Sequence, residues 1–135
     1  TIILDAYNAN PSSMRAAIEN FYDMKLVESV SNGLKEENKW LILGDMLELG
    51  EYAIQEHKNI LQLIIEKNFQ NIILVGEIFS RALSEMKINF LNKILFKNSN
   101  ELADHLKAHP FINTPSLILI KGSRGIKLEK VVEYL

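Results

Sequence analysis

Three short runs, Leu41-Ile42-Leu43, Ile72-Ile73-Leu74-Val75 and Leu117-Ile118-Leu119-Ile120, are apolar at every position. A strand with one face in water alternates polar with apolar residues, whereas a strand without alternation is buried on both faces. A parallel sheet covered by helices on each side meets that requirement. Five strands are predicted around these and two similar runs: Ile2–Asp5, Trp40–Gly44, Asn71–Gly76, Lys93–Lys97 and Ser116–Gly122. Three of them end in glycine, where the chain turns sharply toward a helix. Helical spacing fills the gaps. Met14, Ala17, Ile18 and Phe21 mark Ser12–Asp23, and Ile54, Leu61, Ile64 and Ile65 mark Glu51–Asn68. Shorter amphipathic helices are predicted at Phe79–Met86 and Asn100–Lys107. A last helix, Ile126–Leu135, carries Leu128, Val131, Val132 and Leu135 on one stripe and is expected to dock on the sheet. The alternation βαβαβαβαβα predicts the α/β class: a three-layer α/β/α Rossmann-like sandwich with about five parallel strands and right-handed crossovers.

The segment Lys25–Lys39 is long for a helix-to-strand connection. It either extends the first helix to about Val30 and turns at Asn32-Gly33, or forms an extra strand or hairpin. No function is placed on it.

The chain has 135 residues, enough for one domain with a real core. Net charge is −2 with acids and bases interspersed, which argues against a nucleic-acid surface or an anionic membrane as partner. There is no cysteine, so neither a disulfide nor a thiolate metal site is available. His57, His105 and His109 are too scattered for a metal site, and none is expected. No apolar run approaches the ~20 residues that span a bilayer. No secretory leader is expected, because Thr1 opens directly into a strand. Thr1 in place of an initiating methionine points to a piece of a longer protein, with the cytoplasm as its default compartment.

Ligands of parallel α/β sheets bind beyond the carboxyl ends of the strands, and three polar loops fall there. The first is Asp5-Ala6-Tyr7-Asn8-Ala9-Asn10-Pro11. Asp5 closes an apolar strand; it can accept from two sugar hydroxyls or cap local backbone N–H groups. Asn10 can bind a polar ligand, yet capping the following helix, with Pro11 at its first position, accounts for it fully. Asn8 has no such structural explanation. Tyr7 packs over a ring or fills the loop, and filling the loop is the preferred reading. The second loop, Gly44–Glu51, holds Asp45 and Glu48; these carboxylates orient a lysine or arginine, hold a metal-bound ligand, or simply complement a helix N-terminus. His57 faces the sheet in the next helix. The third, Lys121-Gly122-Ser123-Arg124, offers cations, a hydroxyl and backbone N–H groups suited to a carboxylate or phosphate. No GxxxxGK[ST] or GxGxxG phosphate motif occurs. A nucleotide handled by this chain is therefore one held elsewhere, onto which the chain closes.

In order and spacing, these three loops resemble the C-terminal domain of the Mur ligase family, in particular the member that joins D-alanyl-D-alanine to UDP-N-acetylmuramoyl-tripeptide. The resemblance covers nearly the whole chain, residues 1–135, and its most specific part is Tyr7-Asn8-Ala9-Asn10-Pro11. It implies an ATP- and Mg2+-dependent amide-bond ligase of peptidoglycan precursor synthesis, acting through an acyl phosphate attacked by the dipeptide amine. It further implies that an N-terminal UDP-sugar domain, a central ATP-binding domain and a preceding antiparallel strand are absent from this sequence. Carried over residue by residue, Asp5, Asn8 and Asn10 would meet ATP. Lys121, Ser123 and Arg124 would lie near D-alanyl-D-alanine or the reaction centre, and Asp45, Glu48 and His57 would support the site. The isolated domain is expected to be an inactive monomer. Two other readings stay open: the equivalent domain of a folylpolyglutamate-synthase-like ligase, and a non-catalytic nucleotide-binding module.

Overall fold

The computed structural model describes residues 1–24, 38–90, 92–110 and 116–135. Most of the Lys25–Lys39 connection lies outside the described residues. Among the described residues five strands form one parallel sheet: β1 (Ile2–Asp5), β2 (Lys39–Gly44), β3 (Asn71–Val75), β4 (Asn92–Phe96) and β5 (Leu117–Lys121), in the order β1-β5-β2-β3-β4. The helices are α1 (Pro11–Asp23), α2 (Ala53–Glu66), α3 (Glu77–Met86) and α4 (Ser99–Ala108). The expected α/β architecture with parallel strands is thus present.

Crossover handedness explains where the helices lie. The chain steps across the sheet in one direction from β1 to β4, then returns to insert β5 between β1 and β2. Right-handed crossovers put the helices of forward steps on one face and the helix of the return step on the other. Accordingly Met14, Ile18 and Phe21 of α1, Ile60, Leu61 and Ile64 of α2, and Phe79 and Ala82 of α3 share one cluster with Leu41, Leu43, Ile72, Leu74 and Leu119. Leu102 and Leu106 of α4 share the other with Ile42, Ile73, Val75, Ile118 and Ile120. Alternate residues of β2, β3 and β5 feed opposite faces, which is why their sequences lack alternation.

Two expectations need correction. Ile2–Asp5, expected to sit in a sheet covered on both faces, is an edge strand, paired among the described residues only with β5. Ile3 packs against the α1 face, whereas Leu4 is 47% exposed because the elements that cover the opposite face lie over the other strands. The C-terminal segment is not an α-helix but two 3-10 turns, Arg124–Ile126 and Leu128–Tyr134. Leu128, Val131 and Tyr134 recur every third residue, and a three-per-turn helix stacks them on one face. Leu128 and Val131 are buried and Tyr134 packs against the same cluster, so the expected docking holds with a different helix.

Candidate functional site at the carboxyl edge of the sheet

The loops after β1, β2 and β5 meet because β5 lies between β1 and β2. The start of α1 is fixed locally. Asn10 accepts from the Ser13 amide at 2.9 Å, and Ser13 Oγ accepts from the Asn10 amide at 3.1 Å, a reciprocal capping box with Pro11 in the first turn. Asn10, expected to meet ATP, thus commits its side-chain oxygen to the cap.

Asp5 and Lys121 are direct partners in the β1–β5 register. Lys121 Nζ donates to Asp5 Oδ2 at 2.6 Å and to the Asn8 carbonyl at 2.9 Å. Lys121 is only 1% exposed, whereas the Asp5 side chain is 47% exposed. Among the described residues no partner is found for Asp5 Oδ1. The Asn8 side chain is exposed.

Ser123 also turns inward. Its hydroxyl accepts from the Leu47 amide at 2.8 Å and donates to the Ala9 carbonyl at 3.3 Å, and its amide donates to the Asp45 carbonyl at 3.1 Å. One serine thus ties together all three loops. Lys121 and Ser123, expected near the dipeptide or the reaction centre, both direct their polar atoms to partners inside the protein. Arg124 does face out, its guanidinium carbon 5.2 Å from the centre of the Tyr7 ring. Tyr7, expected to fill its loop, is 73% exposed, because Lys121 and Ser123 already anchor that loop from beneath. The preferred reading of the sequence therefore missed Tyr7 as a surface group of the site. Its place two positions beyond a strand-ending aspartate, in a loop at the carboxyl edge, was the available signal.

The second loop is architectural. Asp45 accepts from the amides of Ile78 and Phe79 at 3.0 and 2.9 Å, capping α3 from a distant loop. A Cβ on Gly76 would lie 2.2 Å from the Asp45 carboxylate, and Gly76 has φ 127°, so glycine is required there. His57 is fully buried. Its Nε2 accepts from the Met46 amide at 3.0 Å and its Nδ1 donates to the Ala53 carbonyl at 2.6 Å, which specifies the neutral tautomer. Burial pushes the His57 pKa down and the Asp45 pKa up, against the two amides that hold the carboxylate. The His57–Asp45 approach of 3.8 Å is accordingly a contact of a neutral ring and not an ion pair. Glu48 is exposed with φ 65°, a left-handed conformation uncommon for a residue with a side chain. His57 and Asp45 hold backbone amides inside the protein, and Glu48 alone of this group faces solvent.

The outward-facing set is thus Asp5, Tyr7, Asn8, Glu48 and Arg124. A carboxylate with one free oxygen can accept from sugar hydroxyls, an aromatic ring can stack, and a guanidinium can hold an anion. The described residues gather no group of three or more His, Asp or Glu side chains able to hold a metal. Among them no helix is long and apolar enough to cross a membrane.

Comparison with known proteins sets this geometry in context. The family described as Mur ligase, glutamate ligase domain, matches residues 1–124. A protein of Rickettsia prowazekii named UDP-N-acetylmuramoyl-tripeptide--D-alanyl-D-alanine ligase is 37% identical over 133 residues, 98% of this chain and 27% of that protein. A protein of the same name from Bacillus subtilis is 36% identical over 136 residues, all of this chain and 28% of that protein. A crystal structure of MurF from Acinetobacter baumannii superposes with a TM-score of 0.73 at 28% identity, over 98% of this chain and 27% of that one. The chain spans about a quarter of the length of the curated relatives it matches.

Proposed function

The chain belongs to the Mur ligase family, as a glutamate ligase domain, and from that premise we propose that it is the C-terminal part of an ATP-dependent ligase joining D-alanyl-D-alanine to UDP-N-acetylmuramoyl-tripeptide. The observation that carries the reading is Asp5. Its carboxylate has one oxygen held by Lys121 and, among the described residues, no partner for the other, which leaves that oxygen able to accept from a ribose hydroxyl. Relatives bearing that activity in their names align over nearly the whole chain.

In this reading the remaining domains hold the UDP-sugar substrate and the ATP phosphates. This domain closes over the nucleotide, with Asp5 and Asn8 toward ATP and Arg124 toward the dipeptide or the developing charge. Condensation needs both substrates aligned and water excluded, and closure of a hinged domain supplies both. Tyr7 holds the Arg124 guanidinium at the rim through the cation–π contact. Asn10, Ser123, Asp45 and His57 fix the loops. Magnesium would accompany ATP and be held mainly by the ATP-binding domain. The enzyme works in the cytoplasm, where its nucleotide-linked substrates are made.

The test is ADP release by the full ligase carrying this domain. Release is expected only when both the UDP-muramoyl-tripeptide and D-alanyl-D-alanine are present, and the 135-residue chain alone should release none. Release that depends on glutamate and a folate acceptor would transfer the domain to the folylpolyglutamate-type reading instead.

A further inference from the structure

We propose that Lys121 is a positioning residue for the nucleotide: it fixes the Asp5 carboxylate and the Asn8 carbonyl, and touches neither the dipeptide nor the reacting atoms. The proposal deepens the reading above and rests on it, since it takes Asp5 as a nucleotide contact.

The sheet register makes Lys121 a direct neighbour of Asp5, so the two side chains share one face at the carboxyl ends of adjacent strands. With 1% exposure, the ammonium has no path to a ligand outside. Its two partners among the described residues belong to a single loop: Asp5 Oδ2 at 2.6 Å and the Asn8 carbonyl at 2.9 Å. That loop has three anchors in sequence order. Lys121 holds Asp5 and Asn8, Ser123 Oγ donates to Ala9, and the Asn10–Ser13 capping box secures the far end. Only the first reaches the residues that face out.

A half-exposed aspartate has several staggered side-chain wells open to it. The ion pair selects one, and in doing so turns Oδ1 outward as the single presented oxygen. A charge-assisted hydrogen bond of this length is short and directional, so the carboxylate is set before the ligand arrives. Pre-set contacts of this kind lower the cost of binding without touching the chemistry. Arginine is no substitute, because its planar fork needs more room than a point-like ammonium.

The test uses the full ligase carrying this domain, with Lys121→Met, Asp5→Asn and the double variant. Lys121→Met should raise KM for ATP about tenfold, leave kcat within about twofold, and leave KM for D-alanyl-D-alanine unchanged. Discrimination between ATP and its 2′-deoxy and 3′-deoxy analogues should fall in the same variant, which a merely structural lysine would not cause. The double variant should fall short of the sum of the two single effects, because Lys121 acts partly through Asp5 and partly through Asn8. A rise in dipeptide KM with ATP KM unchanged overturns the proposal, as do additive effects in the double variant. If Asp5→Asn raises ATP KM and Lys121→Met does not, positioning by Lys121 fails while the nucleotide reading stands. If Asp5→Asn leaves ATP KM unchanged, it is the nucleotide reading of Asp5 that fails. Should Lys121→Met lose its native circular dichroism, Lys121→Gln, whose shorter neutral side chain cannot hold both Asp5 and the Asn8 carbonyl, carries the same measurements with the same deciding outcomes.

Discussion

Asp5 and Asp45 look alike in sequence: each stands at or just after the end of an apolar strand and opens a loop that leads into a helix. The fold gives them opposite tasks. Asp45 follows the central strand β2, is 3% exposed, and spends both carboxylate oxygens on the first turn of α3. Asp5 ends the edge strand β1, keeps half of its side chain in water, and gives one oxygen to Lys121. Position in the sheet, more than residue type, separates an architectural carboxylate from one open to a ligand. A central strand has neighbours on both sides to absorb the charge through backbone N–H groups, and an edge strand has one.

The contrast can be broken or sharpened by substitution, measured as unfolding free energy in denaturant. The largest effect is expected at Gly76→Ala, where a Cβ would meet the Asp45 carboxylate in a positive-φ backbone. A loss of about 3 kcal/mol or more is expected from clash and backbone strain together. A loss under about 1 kcal/mol would show that the loop gives way easily and that the Asp45 cap is loose. Asp45→Ala should come next, costing roughly 1–3 kcal/mol, because it orphans the amides of Ile78 and Phe79. An unchanged midpoint there would erase the architectural half of the contrast.

His57 provides a pH test of the same buried loop. Its folded pKa lies below the ordinary 6.5, so the unfolded chain binds the extra proton first. Stability should therefore rise with pH through this region and fall on acidification below pH 6.5, with a limiting slope of about 1.4 kcal/mol per pH unit. Asp45, raised from 3.8, acts in the opposite sense at lower pH, where its protonation favours the folded state. His57→Gln should flatten the pH dependence above the Asp45 range; an equally steep curve in that variant would place the sensitivity elsewhere. The smallest effect on stability is expected at Asp5→Asn, less than about 1 kcal/mol, since the amide oxygen can still accept from Lys121. A loss as large as that of Asp45→Ala would make Asp5 architectural too, and the two loops would no longer differ.

Much of the site was legible in the chain. The carboxyl-edge clustering of Asp5, Asn8, Arg124 and Glu48 follows from strand order along the sequence, and Asn10-Pro11 announced its own cap. The inward turn of Lys121 and Ser123 was not legible. A cation and a hydroxyl at a strand end look the same in sequence whether they face solvent or a neighbouring loop. Likewise the stripe Leu128, Val131, Tyr134 fits a three-per-turn helix as well as part of an α-helix, and packing on α4 and the sheet selected the tighter winding.

The sequence by itself determined the strands, the four α-helices, the parallel sheet and the edge at which chemistry gathers. Those features rest on local periodicity, caps and turns, which act within a few residues. Only the tertiary structure decided that β5 inserts beside β1, setting Lys121 against Asp5 across 116 residues of chain. Which strand becomes an edge depends on how crossovers return across the sheet, a non-local choice that no short window of residues records. That choice left Asp5 half in water and Asp45 buried.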